Sequence, residues 1–252
     1  MYKVKRFSVI QEDQRCYGLL GRVRKVASDK LSESIGKSLK NYRNAVSDIN
    51  KFPKSDRLSN PLISISEKEG SKVLRYNTEG SSSFRVKRKS INERFADKMA
   101  DINHDDEVYN NIGRLVSDKS SKFDDIIFYP KGSDHSELAH EIGHKRNSIS
   151  KNPIKKKLDN LNMKYQNDIS EMKGSKKKGL LNTAKEFLKG KSVVADESNA
   201  SKEGLKVLKE TGANKKELES AEKLYKLKLD TYKYKSTANY KSTLLNTIKP
   251  KE

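Results

Sequence analysis

Tryptophan is absent from this chain, cysteine occurs once and proline five times in 252 residues. The lone thiol, Cys16, excludes an internal disulfide and fits a reducing compartment. No apolar run approaches the roughly 20 residues needed to span a bilayer. The opening MYKVKRFSVIQEDQRCYG also lacks the sustained hydrophobic stretch of a signal peptide. These absences lead to the expectation of a soluble intracellular protein, virion-associated if a phage encodes it. Only 33% of residues are hydrophobic and 35% are charged, so a modest core is expected. Apolar residues nevertheless recur at helical and strand spacings, which separates the chain from the disordered class.

What is abundant is positive charge. Lysine and arginine number 54 against 34 acidic residues, a net charge of +20. Such a surface attracts polyanions: nucleic acid, anionic lipid heads or acidic proteins. Lysine dominates, and it is less specific than arginine for phosphate geometry, so a non-specific field is expected. A composition rich in Lys, Asn and Ser equally reflects an AT-rich genome. There is no aromatic-interleaved binding signature and no zinc-knuckle spacing, so any nucleic-acid association would be non-specific. The lysine-rich interval could instead lie on an anionic membrane, but it lacks the bulky aromatic face expected of an interfacial helix.

Pattern divides the chain into a leader segment, 1–25, and a single domain, 26–252. Within that domain, about 145–192 reads as a lysine-rich interval of helical pieces and mobile turns. Ile35, Leu39, Tyr42, Val46 and Ile49 share a helical face, which ends where Pro53 and Pro61 bracket a polar loop. LISIS alternates like a strand, EKEG supplies a turn, KVLRY reads as a partner and SFRVKRK as a third, basic strand. Helical spacing returns through Ile91, Phe95, Met99 and Ile102, then Val108, Ile112 and Leu115, before the β-prone run DDIIFYP. A helix starting near Glu197 carries Ala200, Leu205 and Leu208 and ends at ETGAN. A long last helix follows, its register carried by Leu218, Tyr225, Tyr232 and Leu244 and running to Pro250. The expected fold class is α+β, mostly helical with a small sheet beside the histidine-bearing helix.

That helix contains SELAHEIGHKRN, residues 136–147. His140 and His144 are one turn apart and project from one face. Both imidazoles can therefore reach one Zn²⁺ at about 2.0–2.1 Å. Glu141 lies about 100° round the helix, where its carboxylate can take a proton from a zinc-activated water and pass it to a leaving amine. Asp134 and Glu137 have capping-box spacing, Lys145 and Arg146 suit the far end of the dipole, and Leu138 with Ile142 forms an apolar pair. Ala139 and Gly143 offer a small-residue strip for close packing.

A catalytic zinc needs a third protein ligand and an open position. Cys16 is remote, and His104 and His135 are the remaining histidines. No H-x-x-G-x-x-H continuation follows, so the metzincin pattern is absent. A carboxylate on a second helix is the alternative; Glu197 is the best candidate and Glu203 its main rival. Tyr225 and Tyr232 sit in the right part of the chain to stabilise an oxyanion, but their helical spacing equally fits core positions.

AHEIGH followed by ESNASKEGLKVLKETG resembles the YugP-type neutral zinc metallopeptidases of bacteria, over roughly residues 126–235. It is more distantly similar to the HtpX and CAAX prenyl-protein peptidases among the gluzincins. In those families a helix opening E-x-x-A-[DS] provides the third ligand; here Glu197, Ala200 and Ser201 match it. The resemblance implies a zincin-like fold, one zinc per chain held by His140, His144 and Glu197, and hydrolysis of peptide bonds with Glu141 as general base. It also implies an edge strand that grips substrate, for which IIFYP is the candidate, a plain core strand being the other reading of the same run. Two departures stand out: a lysine-rich interval where relatives are membrane-embedded, and Ser201 where the HtpX-like members carry aspartate. Asp196 is a substitute for that outer carboxylate. The competing expectation is a polyanion-associated phage or mobile-element protein whose zincin core is secondary or inactive.

Overall fold

The computed structural model describes residues 3–76, 83–87, 112, 114, 122–170 and 179–248. It is α+β and mostly helical: α1 (Lys3–Asn50), α2 (Ser59–Lys68), β1 (Ser71–Tyr76), β2 (Phe84–Lys87), β3 (Asp125–Pro130), α3 (His135–Ile149), α4 (Pro153–Ser170), α5 (Leu180–Glu210) and α6 (Lys215–Ile248). Two compact units emerge. One, here the helical unit, takes Met1–Asn44, Tyr165–Lys191 and Asp230–Glu252; the other, the sheet unit, takes Ala45–Lys164 and Ser192–Leu229. Residue 25 falls inside α1, with no break there. The described part of 145–192 consists of helices α3 to α5 and their connections. The helical spacing read over 91–115 lies outside the described residues except at Ile112, which is buried. Among the described residues no helix is long and apolar enough to cross a membrane.

The sheet has the order β1-β3-β2, with β1 parallel and β2 antiparallel to β3. All six residues of β3 are buried. Ile127 and Tyr129 face a core built from Leu62 of α2, Leu138 and Ile142 of α3, and Val207 and Leu208 of α5. Ile126 and Phe128 face a second cluster with Tyr76 and Ile112. This two-sided burial decides between the two readings of IIFYP: among the described strands β3 is the central one, not an edge.

LISIS is also corrected. It belongs to α2, where Ser59, Leu62 and Ser66 are the buried positions, at spacings of three and four. The Ile/Ser alternation imitates a strand, and Pro61 looks like a breaker. In the first turn of a helix, however, proline's missing N–H has no intrahelical partner to lose. With LISIS helical, β1 has no hairpin partner and pairs instead with a strand some fifty residues on, from Ser71↔Asp125 to Tyr76↔Pro130.

In the helical unit, α6 meets both α1 and α5. Lys241 Nζ donates to Ser34 Oγ at 2.5 Å, and Lys235 Nζ lies 4.8 Å from the Tyr42 ring centroid. Phe187 and Tyr240 meet edge to face at 5.5 Å.

Candidate metal centre

Helix α3 starts where its sequence dictates. Asp134 is the N-cap: its Oδ1 accepts from Ser136 N at 2.9 Å and its Oδ2 from Ser55 N at 2.9 Å. Glu137 does not close the capping box. Its carboxylate turns to Lys228 Nζ at 2.9 Å and Ser83 N at 3.2 Å, which ties α3 to α6 and to the start of β2. Arg146 falls in the last turn of α3 and Lys145 one residue before it, and both also make buried or bridging ion pairs. Lys145 reaches Asp125 at 3.0 Å, and Arg146 spans Glu69 at 2.7 Å and Glu210 at 2.6 Å.

What brings α5 to the histidines is a close backbone crossing. A Cβ on Gly143 would lie 2.2 Å from Ala200 O, and one on Gly204 would lie 3.1 Å from Ala139 O and from His140 Cα. Only glycine fits at 143, and at 204 a Cβ would also press the Tyr225 hydroxyl at 2.9 Å, so the helices approach backbone to backbone and place residues 196–201 against His140 and His144. Helix α5 starts at Leu180, not near Glu197. Glu197 therefore projects from the interior of a helix rather than from its first turn. The ETGAN end is as expected: Ala213 N donates to Leu208 O and Gly212 N to Lys209 O, the paired bonds of a Schellman turn.

Glu197 Oε2 lies 3.0 Å from His140 Nε2, and Glu197 Oε1 lies 3.6 Å from His144 Nε2. One ligand atom from each of these three buried residues falls within 4.8 Å of the others. The outer nitrogens are also engaged. Asp196 Oδ2 is 3.1 Å from His144 Nδ1, and Ser201 Oγ is 3.3 Å from His140 Nδ1. Ser201 uses its single hydroxyl proton on Glu197 O at 2.8 Å, so toward His140 it accepts the Nδ1–H. Asp196 likewise accepts the His144 Nδ1–H. In the neutral rings, both Nε2 atoms then carry lone pairs aimed at a carboxylate.

Three converging acceptors repel unless a cation lies between them. That donor set, two imidazoles and one carboxylate with outer partners fixing the tautomers, fits a divalent metal ion. In the metal-free protein a proton takes this role in part. Burial lowers the His144 affinity for a proton, but the Glu197 and Asp196 charges outweigh it and raise its pKa well above the usual imidazole range. Burial likewise opposes the Glu197 charge, but His144 and His140 hold its carboxyl well below the usual carboxylate range. Glu141, buried beside them, is pushed up by burial against the opposing pull of His144 and His140.

Glu203 stands apart from this cluster, accepting from Lys155 Nζ at 2.8 Å and Lys206 Nζ at 2.9 Å. His135 is buried but lies outside it, and His104 is outside the described residues. Tyr225 donates its hydroxyl to Ser136 O at 2.5 Å, and its ring lies 5.4 Å from that of His140. It packs the histidine helix, and burial pushes its hydroxyl well above the usual phenol range. Tyr232 belongs to the helical unit.

Three contributors escaped the sequence pattern. Asn162 of α4 donates through Nδ2 to Asp196 Oδ2 at 2.8 Å and to Glu197 Oε1 at 2.9 Å. Asp159, one turn before it, groups with His144 and Asp196 as a second buried set. Arg85 of β2, whose side chain is only 3% exposed, bonds Asp159 and reaches Asp125 at 3.1 Å. The available signal was a polar pair, Asp159 and Asn162, among Leu158, Leu161 and Tyr165 on one helical face. The surrounding lysines obscured it.

The site is thus a buried two-histidine, one-carboxylate cluster held by outer hydrogen bonds. No family model, curated protein or solved structure matches the chain.

Proposed function

We propose that the protein is a zinc-dependent metalloendopeptidase of gluzincin type on a zincin-like core, with His140, His144 and Glu197 as ligands and Glu141 as general base. The observation that carries this reading is the convergence of those three ligand atoms within 4.8 Å. Bound zinc supplies Lewis acidity that polarises a substrate carbonyl and acidifies water. The chain's own residues do the rest. Asp196 and Ser201 hold the imidazoles with Nε2 inward, and Asn162 holds the Glu197 carboxylate. Glu141 accepts a proton from the attacking water and returns it to the amine nitrogen as the C–N bond breaks. Its raised pKa suits both halves of that transfer.

Purified protein should hold about one zinc per chain and cut an unfolded protein substrate. Glu141→Gln should keep the metal and abolish cleavage; cleavage at the wild-type rate would refute the mechanism. Glu197→Ala should release metal, whereas Glu203→Ala should retain it. The reverse result would overturn the ligand assignment.

A further inference from the structure

Over its first three turns α5 turns its apolar side outward. Leu180, Leu181 and Leu188 are 73%, 70% and 64% exposed, and Phe187 is 43% exposed. Ala184 is exposed between them. At 100° per residue these five share an arc of about 120°. The other side of the same turns buries Glu186 and Gly190 and half-buries Asn182, Thr183 and Lys189. A surface helix ordinarily buries its apolar stripe and wets the polar one. Here the order is inverted, and a contiguous apolar face bordered by charge marks an interaction surface.

The bordering charge selects the occupant. Lys185 and Lys191 are exposed beside the leucines, and Lys191 Nζ lies 5.4 Å from the Phe187 ring centroid. Three further lysines, 176–178, immediately precede the helix in sequence, and the whole chain carries +20. Pairing this face with a second copy would press two such cationic borders together. Nucleic acid would satisfy the lysines but leave the leucines without an apolar partner. An anionic lipid surface satisfies both. Leucine and phenylalanine side chains enter the acyl boundary, while lysine stems lie along it and place their ammonium groups among the phosphates. By sequence pattern this membrane reading ranks low, because the interval has few aromatics. Burial changes that ranking by showing which side faces out.

We propose that the first three turns of α5 dock the protein onto an anionic membrane surface. The docking is independent of the metal centre. The test uses the full chain with vesicles of phosphatidylcholine alone and of equal parts phosphatidylcholine and phosphatidylserine. Wild-type protein should co-sediment with the mixed vesicles and not with the neutral ones. The double variant Leu181→Asp/Leu188→Asp should lose at least about tenfold in partitioning, with unchanged helical content. The chain has no tryptophan, so Leu188→Trp is a clean reporter whose emission should shift to the blue on mixed vesicles only. Failure to co-sediment, equal binding by the double variant, or no emission shift each overturns the proposal. So does a concentration-dependent dimer that the double variant abolishes, which would assign the face to a second copy.

Discussion

Asn162 Nδ2 lies 2.9 Å from Glu197 Oε1, on the opposite side of the carboxylate from the oxygen that faces His140 Nε2 at 3.0 Å. The same nitrogen bonds Asp196, the outer partner of His144, so one amide links two arms of the cluster. Asn162→Ala should weaken zinc binding about 10- to 100-fold, the usual effect of losing an outer-shell partner. Asn162→Asp should be worse, since it adds a third carboxylate without a donor. Competition against a chelating dye measures this directly. Equal affinity in all three proteins would show that Asn162 only packs.

The backbone crossing gives a stability prediction. Gly143→Ala would put a Cβ 2.2 Å from a backbone carbonyl, which no rotamer change can relieve. The cost should reach about 3 kcal/mol, the upper part of the range for overpacking. Gly36→Ala is the contrast: it lies in α1 with nothing within 4 Å of a new Cβ, and should stabilise by roughly 0.5–1 kcal/mol. Urea denaturation of both variants checks the pair.

Stability of the metal-free protein should fall as pH rises above neutrality. His144 keeps its proton in the folded state well above the ordinary 6.5, whereas the unfolded chain releases it near that value. The folded state therefore binds more protons than the unfolded one, and stability declines until the raised pKa is passed. Zinc bound as proposed would replace that proton, so the thermal shift on adding zinc should grow from pH 6 to pH 8. A shift that shrinks with pH would show that the metal does not take the His144 nitrogen.

Arg85 should matter more than any other residue of its basic segment. Its guanidinium stands between Asp125 and Asp159, both nearly inaccessible. Arg85→Ala leaves buried Asp159 without its close cation and Asp125 with Lys145 alone, at a cost of about 3–5 kcal/mol. Lys87→Ala removes a more exposed charge, 3.9 Å from Asp159, and should cost far less. Thermal melts of the two variants separate internal charge from surface field.

Local pattern was enough for much of this molecule. The i, i+4 pair His140 and His144, the Asp134 cap and the small-residue strip at Ala139 and Gly143 all follow from helical geometry, which acts over one or two turns. KVLRY and IIFYP are strands for equally local reasons. Which strand is central is a pairing question, and pairing across some fifty residues leaves no local trace. LISIS misleads because its alternation and its proline mimic a strand after a loop, while burial of Leu62 between β3 and α3 rewards a helix.

The metal cluster divides in the same way. HEIGH puts two imidazoles on one helical face from sequence alone. That Glu197 rather than Glu203 meets them depends on how α5 crosses α3, which is set by contact of Gly143 with Ala200 and of Gly204 with Ala139. That Asn162, Asp159 and Arg85 surround them depends on α4 and β2 packing into one unit. Helical periodicity is a property of the chain, readable wherever neighbours in sequence are neighbours in space. Glu197 and its supports belong to separate elements, and only close packing selects among the many polar residues that could have met there.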